Sequence, residues 1–275
     1  MTTGGSTDPD ETGVAGVRGV LHPQGAVGRL TLDRIPPAAA LASLVEFHWR
    51  VRWDLRGQAP HEQKVLAHPN VHLVFEAPCA AVYGVDRGLF VRRLEGAGQV
   101  LGVKFRPGGF RAFWRRPVQE LVDLVLPAAE VFGAEVEETG RRILALDDPA
   151  AMAAAADAFL LDRLPAERTE DPQAELAAAM VETAIADRGL LRVEQLAERH
   201  GVSVRTLQRL FAEYVGVGPK WVLRRARLHE AAQRAEETTV DWSALAGDLG
   251  YADQSHLTRD FTAVVGLPPD RYAHI

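Results

Sequence analysis

The chain is poor in cysteine: Cys79 is the only one in 275 residues. A single thiol excludes an internal disulfide and any zinc site built on several cysteines. Cytosolic proteins rarely carry disulfides, so we predict a cytoplasmic protein. A free cysteine is usually a small buried residue, and we expect Cys79 to be buried beside a strand, redox sensing being the less favoured reading.

Long hydrophobic runs are also lacking, because no stretch approaches the ~18 apolar residues of a spanning helix. Residues 1–16 are acidic and rich in Gly and Thr, which predicts a disordered tail and neither a signal peptide nor an anchor. The net charge is −6, from 31 Lys and Arg against 37 Asp and Glu. DNA binding needs only a local positive region, and residues 220–234 offer one, with a single acid against Lys220, Arg224, Arg225, Arg227 and Arg234.

Signatures of catalysis are absent as well. The sequence has no G-x-S-x-G nucleophile motif and no phosphate-binding glycine loop after a strand. We therefore predict a protein that is not an enzyme and that holds no cofactor and no metal. One alternative stays open: His68, His72 and Glu76 share one face of a strand and could bind a metal as in cupin enzymes, although Pro69 interrupts that strand and a His-x-His pair is missing.

The chain divides by hydrophobic pattern. Residues 17–116 hold short apolar runs with β-formers, typical of a small antiparallel sheet or barrel, interrupted by one helix, AAALASLVEFHWRV, starting at Ala38. Helical spacing over 117–164 predicts amphipathic helices, the last beginning at Asp148-Pro149. Residues 165–172 resemble an exposed linker, and 173–275 are predicted to be entirely helical.

The helical part contains a duplication. VEQLAERHGVSVRTLQRLF and WSALAGDLGYADQSHLTRDF both place a Leu-Ala pair before a glycine and a Leu…Phe stripe after it. The glycine suits a tight turn between two helices, and Ser203 suits the N-cap of the helix that follows. A single such pattern is also compatible with an ordinary helical hairpin. Two of them, joined by a basic helix that Pro219 begins, favour paired helix-turn-helix units on DNA.

These residues resemble the DNA-binding domain of the AraC/XylS family of transcription regulators. The resemblance covers about residues 175–273 and rests on GVSVRTLQRLFAEYVGVGPK and LGYADQSHLTRDFTAVVGLPPDRY. It implies base contacts by Arg205, Gln208, Arg209, Ser255, His256 and Arg259. Phosphate contacts are expected from Thr206, Lys220, Gln254 and Thr258, because such polar side chains position a protein without reading sequence.

The N-terminal part resembles, through LVEFHWRV, HPNVHLVFE and GVKFRPGGFRAFW, a sensor-like domain found in actinobacterial regulators. That implies an α+β multidomain protein: a cupin-like antiparallel β-barrel, a helical extension at 117–164 for dimerisation, and a C-terminal all-α double helix-turn-helix domain. We expect an unknown small-molecule effector in a pocket formed by His48, Trp53, His72 and Phe105. The expected partners are double-stranded DNA, a second copy of the chain and RNA polymerase, and a domain that only dimerises is the further alternative.

Overall fold

A computed structural model describes residues 19–21, 30–164, 171–237 and 240–274. The predicted tail at 1–16 and most of the predicted linker lie outside these ranges. The N-terminal part contains eight strands within the described residues: β1 (Leu30–Ile35), β2 (Val45–Asp54), β3 (His61–Val65), β4 (His72–Phe75), β5 (Ala81–Tyr83), β6 (Phe90–Leu94), β7 (Ala97–Phe105) and β8 (Val125–Pro127).

All strand pairs are antiparallel, as predicted. Six strands form one sheet in the order β1-β2-β7-β4-β5-β8, and β3 pairs with β6 in a second sheet. Among the described residues the two sheets are separate hydrogen-bonded units, which agrees with the predicted small antiparallel sheet and leaves the cupin-like barrel a prediction. The longest ladder joins β2 to β7, with Trp49 opposite Gly102.

The helix predicted from Ala38 is wrong. Only Ala39–Leu41 form a helical turn, of the 3-10 type, and β2 begins at Val45. Within this segment Phe47, Trp49 and Val51 alternate with more polar residues, and that period of two is the strand signal. Backbone hydrogen bonds to β1 on one side and β7 on the other satisfy the N–H and C=O groups of β2, and this pairing makes the segment a strand.

The core of the N-terminal part lies on one face of the six-stranded sheet. Helices α3 (Glu135–Leu144) and α4 (Pro149–Arg163) cover this face. Phe75 and Leu101 of the sheet are buried there with Ile143 and Leu160 of the helices. Each buried side chain of this size contributes about 1.5–3 kcal/mol, so the helical hairpin is an integral part of this domain.

The prediction of helices over residues 117–164 holds only from Glu135 onward. Val118–Leu121 are a 3-10 turn, and β8 extends the sheet edge because its backbone pairs with β5. Two short helices, α1 (Arg111–Trp114) and α2 (Ala129–Phe132), precede α3, and Gly133 with φ +81° ends α2. Helix α4 begins at Pro149 as predicted, capped by the Asp148 carboxylate.

The C-terminal part is helical, as predicted. Asp171 caps the first of its helices and Pro172 starts it, one residue earlier than predicted. The helices are α5 (Pro172–Ala186), α6 (Val193–Arg199), α7 (Val204–Leu210), α8 (Pro219–Glu237), α9 (Trp242–Asp248), α10 (Gln254–Val265) and α11 (Pro269–Tyr272). Among the described residues, no helix is long and apolar enough to cross a membrane.

The two halves of the chain share hydrophobic cores. Val85 of the N-terminal part is buried among the side chains of α5, α6, α7 and α8. Leu66, with Leu89 beside it, packs into the cluster built by α9, α10 and the second half of α8. Both halves of the helical part are therefore anchored to the N-terminal domain by apolar burial.

Candidate nucleic-acid interface and adjoining cavity

The turn between α6 and α7 recurs between α9 and α10. Gly201 and Gly250 both have positive φ, at +63° and +71°. The residue after each glycine donates its N–H to the carbonyl of an alanine in the preceding helix, Val202 to Ala197 at 3.0 Å and Tyr251 to Ala246 at 2.9 Å. An alanine in place of Gly201 or Gly250 would have to adopt this left-handed conformation, which is unfavourable for any residue with a Cβ.

The helices after the two turns are capped in the same way. The Ser203 hydroxyl accepts the N–H of Thr206 at 3.1 Å, and the Asp253 carboxylate accepts the N–H of His256 at 2.7 Å. The glycines are 49 residues apart and the caps 50, so the second turn contains one extra residue, the exposed Ala252. The duplication seen in the sequence is therefore a repeated backbone geometry.

The outer faces of α7 and α10 are free for contact with a partner. Leu207 and Leu257 point into the cores, and the residues predicted to touch bases are all exposed: Arg205, Gln208, Arg209, Ser255, His256 and Arg259. Of the predicted phosphate contacts, Lys220 and Gln254 are exposed, whereas Thr206 and Thr258 are half-buried. The Arg259 Nε lies 3.2 Å from the Ser255 carbonyl of its own helix.

The predicted positive stripe on α8 is wrong for four of its five residues. Arg224 forms a bidentate pair with Asp260 of α10, both distances being 2.9 Å. Arg227 lies over the Tyr251 ring, and Arg234 pairs with Glu230 and Asp248. These arginines hold α8 against α9, α10 and the turn between them, so only Lys220 stays exposed as a cation of that stretch.

Arg225 joins α8 to the N-terminal domain. Its buried guanidinium donates to the carbonyls of Arg87 at 2.5 Å and Gly88 at 3.2 Å, and it lies over the Trp221 ring. Burial lowers the pKa of Arg225 to about 10, so the side chain still carries its charge at neutral pH.

A π-helical turn, Phe211–Val215, extends α7 and contacts the N-terminal domain. The Tyr214 carbonyl accepts the Gly108 N–H at 2.9 Å, from the turn between β7 and α1. Beside it, Arg111 pairs with Glu213 at 2.8 Å. The helix that presents Arg205 and Arg209 is thus attached by its far end to the sheet domain.

A cavity of about 950 Å³ lies between the two sheets. Aliphatic side chains of β1, β2 and β7 form one part of its wall, among them Leu32, Val51 and Val100. Trp221 and Arg224 of α8 complete the lining, so the cavity borders the helix that connects the two turn-containing units. Its size falls within the range of small-molecule sites.

A row of larger side chains crosses the sheet at one end of the cavity. Phe47 lies opposite Lys104, Lys104 opposite His72, and His72 opposite Tyr83. Lys104 pairs with Glu46 at 3.0 Å, and the Trp49 indole N–H donates to His72 Nδ1 at 3.2 Å. Burial lowers the pKa of His72 to about 3, with a further contribution from the charge of Lys104.

Of the four predicted pocket residues, only His72 lines this cavity. His48 points to the opposite face of β2, where its Nε2 lies 2.7 Å from Asp157 of α4. Phe105 also faces the helices and packs on Phe110. Both differ from their neighbours because successive strand residues alternate between faces. Trp53 lies across Gly98 at the strand end and donates to the Glu95 carbonyl.

The structure gives no support to the metal-site alternative. His68, His72 and Glu76 all line the cavity, but His68 stacks on His229 of α8 and Glu76 pairs with Arg92 at 2.5 Å. Within the described ranges no three His, Cys, Asp or Glu side chains are placed to hold a metal ion. Cys79 is exposed, so its predicted burial is wrong.

Sequence reasoning missed much of the cavity wall, including Tyr83, Lys104 and Trp221. The period-two pattern of β2 would have placed Phe47, Trp49 and Val51 on one face together. Gly102 is a second signal. A Cβ at this position would lie 2.0 Å from the Trp49 indole, and the glycine therefore lets the indole ring pack directly on β7. No sequence signal placed Trp221 at the cavity.

Comparison with known proteins agrees with the repeated geometry. Residues 196–274 match a family described as a helix-turn-helix domain, and an AraC-like transcription regulator of Streptomyces lividans is 36% identical over 80 residues, 29% of this chain and 26% of that protein. Residues 196–274 form an AraC-type helix-turn-helix domain. This AraC-type domain comprises α6 and α7, the connecting helix α8, and α9 to α11.

Other relatives match over a similar length. The multiple antibiotic resistance protein MarA of Escherichia coli is 33% identical over 82 residues, 30% of this chain and 65% of MarA. A crystal structure of an AraC-type regulator from Chromobacterium violaceum is 24% identical, covering 38% of this chain and 90% of that one, with a TM-score of 0.33. The matches thus span less than two thirds of either curated relative. Residues 33–127 match a family described as a domain of unknown function, DUF6597.

Proposed function

We propose that this protein is a sequence-specific DNA-binding transcription regulator whose N-terminal domain binds a small-molecule effector. The observation that carries the proposal is the repeated turn and cap geometry, which leaves the outer faces of both α7 and α10 exposed. Arginine reads guanine edges and glutamine reads adenine in the major groove, and both occur on these faces. The S. lividans relative is itself named as a transcription regulator.

The base-reading role of two arginines provides the test. Binding sites are selected from a random DNA pool with the purified chain, and affinity for the selected site is measured by fluorescence anisotropy. Arg209→Ala and Arg259→Ala should each weaken specific binding by about 1–3 kcal/mol. Arg141→Ala, an exposed arginine of α3, is the matched control and should leave affinity unchanged. Equal affinity of all four proteins would contradict the base-reading assignment.

The position of the cavity supports control by an effector. A molecule inside would touch Arg224, whose guanidinium holds Asp260 in α10, the second recognition helix. Effector binding would then shift the population of DNA-competent arrangements. A metabolite that raises the melting temperature should also change DNA affinity, and Arg224→Ala should keep the thermal shift while reducing that change. If no compound in a broad panel stabilises the protein, a domain that only assembles subunits is the better reading.

Homodimerisation through residues 117–164, contact with RNA polymerase and a cytoplasmic location belong to the same proposal. The apolar faces of α3 and α4 are used to cover the sheet of their own chain, so a dimer has to use their outer faces. Sedimentation at micromolar concentration tests the dimer. A monomer that binds one DNA site with undiminished affinity would remove dimerisation from the proposal.

A further inference from the structure

The charges around the cavity balance one another. The lining contains the bases Arg34, Arg87, Arg92, Lys104 and Arg224 and the acids Glu76, Asp86 and Asp123. Arg92 pairs with Glu76 and Arg87 with Asp123, both at 2.5 Å. Glu46 and Asp260 pair with Lys104 and Arg224 from outside the lining. Four of the five bases therefore already have an acid partner, and Arg34 lies over the Phe47 ring, so an anionic ligand would compete with existing contacts of these bases.

His72 offers the cavity a neutral hydrogen-bond donor. The indole N–H of Trp49 can only donate, so His72 Nδ1 is the accepting nitrogen and the ring proton is on Nε2. Because the pKa of His72 is lowered to about 3, the ring is uncharged at neutral pH. Among the described residues, the Nε2–H has no protein acceptor, and the side chain lines the cavity. A donor in such surroundings gains from an acceptor atom on a ligand.

Most of the remaining wall is apolar and rich in rings, and its other polar side chains include Gln63, His68 and Asn70. Leu30, Leu32, Val51, Val74 and Val100 line it from the large sheet, and Phe47, Trp49, Tyr83, Phe90 and Trp221 add aromatic faces. Flat aromatic walls favour a flat ring system, which they contact face-on or edge-on.

We propose that the cavity binds an uncharged, mainly apolar ring compound whose carbonyl or similar acceptor atom receives the Nε2–H of His72. The proposal rests on the effector role suggested above and adds the chemical class of the effector. A molecule of this class buries its rings against the aliphatic wall, fills a cavity of the observed size and leaves every ion pair intact.

Two naphthalene dyes of similar size test the charge. Prodan is an uncharged aromatic ketone, and 1-anilinonaphthalene-8-sulfonate carries one negative charge. Titration of the full-length wild-type chain should show one Prodan site that binds at least about tenfold tighter than the sulfonate dye, which is a difference of about 1.4 kcal/mol. Tighter binding of the sulfonate dye would overturn the proposal.

The hydrogen bond is tested on the wild type and by substitution. Prodan emission shifts to longer wavelength when its carbonyl accepts a hydrogen bond, so the bound dye should emit to the red of Prodan in an aprotic solvent of similar polarity. His72→Phe should weaken Prodan binding roughly three- to tenfold, as expected for one lost hydrogen bond, and shift the emission to the blue. Unchanged affinity and emission in a folded His72→Phe protein would refute the role of His72.

Two further variants locate the site. Val51→Trp fills the cavity and should abolish Prodan binding, whereas Trp53→Phe, on the same strand but outside the lining, should not change it. Retained Prodan binding in Val51→Trp would place the dye elsewhere and refute the proposal. Anisotropy titrations with selected DNA are run on the same preparations. DNA binding without Prodan binding would refute the proposed ligand class alone. Prodan binding without DNA binding would refute the proposed regulatory function alone.

Discussion

Because His72 is uncharged in the folded chain, we expect the free energy of unfolding to fall in acid. In the folded chain its pKa is lowered to about 3, mainly by burial, whereas the value in the unfolded chain is near the ordinary 6.5. Between pH 6.5 and 3, His72 binds a proton in the unfolded chain but not in the folded chain. Folding is therefore progressively disfavoured as the pH falls from 6.5 towards 3, and at higher pH this penalty is absent.

The size of the penalty follows from the difference in pKa. Each unit is worth about 1.4 kcal/mol, so the full penalty below pH 3 is roughly 5 kcal/mol. At pH 5 the part already incurred is about 2 kcal/mol. The side chain lines the cavity and is partly exposed there, so solvent screening lowers these figures and they are upper values.

Urea unfolding followed by tryptophan fluorescence at pH 8, 7, 6 and 5 measures the effect. His72→Gln keeps an acceptor for the Trp49 N–H but cannot be protonated, so its free energy of unfolding should fall by about 2 kcal/mol less than that of the wild type between pH 8 and 5. Taking this difference removes the contribution of all other titrating groups. Trp53→Phe is the control and should follow the wild type. If His72→Gln and the wild type lose the same stability, His72 is not held neutral and the reasoning is refuted.

Three further predictions concern the AraC-type domain and its attachment. Gly201→Ala and Gly250→Ala should each cost about 1–2 kcal/mol of stability because both have positive φ, whereas Gly247→Ala, inside α9 and with open space around it, should gain about 0.5–1 kcal/mol. Thermal unfolding decides, and a loss in all three variants would show that backbone conformation is not the cause. Ser203→Ala should cost about 1 kcal/mol through the lost cap of α7, while Ser243→Ala, exposed and not a cap, should cost less than half as much. Arg225→Met removes the donor to two carbonyls and should increase hydrogen exchange of residues 85–89 without unfolding α9 or α10; unaltered exchange there would mean that Arg225 does not hold the two domains together.

Local patterns in the sequence were sufficient for the helical half. The Leu-Ala pair, the turn glycine and the Leu…Phe stripe each act within about 25 residues, and the helices they predict are present. Ser203 caps α7 as expected, and Asp253 caps α10 in the same way. Which side chains face outward follows from helical periodicity alone. The exposure of Arg209 and Arg259 could therefore be predicted, although their contact with DNA stays a proposal.

Two elements of the N-terminal half show why it was harder to predict. Residues 38–51 satisfy a helical spacing as well as an alternating one, and only pairing with β1 and β7 makes them a strand. His48 and Trp49 are neighbours in sequence, yet His48 forms a hydrogen bond with Asp157 of α4 whereas Trp49 lines the cavity. A one-residue error in assigning the faces of a strand moves a side chain to the other side of the sheet.

Interactions between near neighbours in the chain are enough to specify the two helix-turn-helix units, their repeated turns and the residues on their outer faces. The roles of the α8 arginines and the lining of the cavity depend instead on how the domains pack. Arg224 and Arg225 have the same chemistry and adjacent positions, but one pairs with Asp260 and the other is buried on the carbonyls of Arg87 and Gly88. Their roles depend on partners that are 36 to more than 130 residues away, and contacts over such distances arise only when the domains pack.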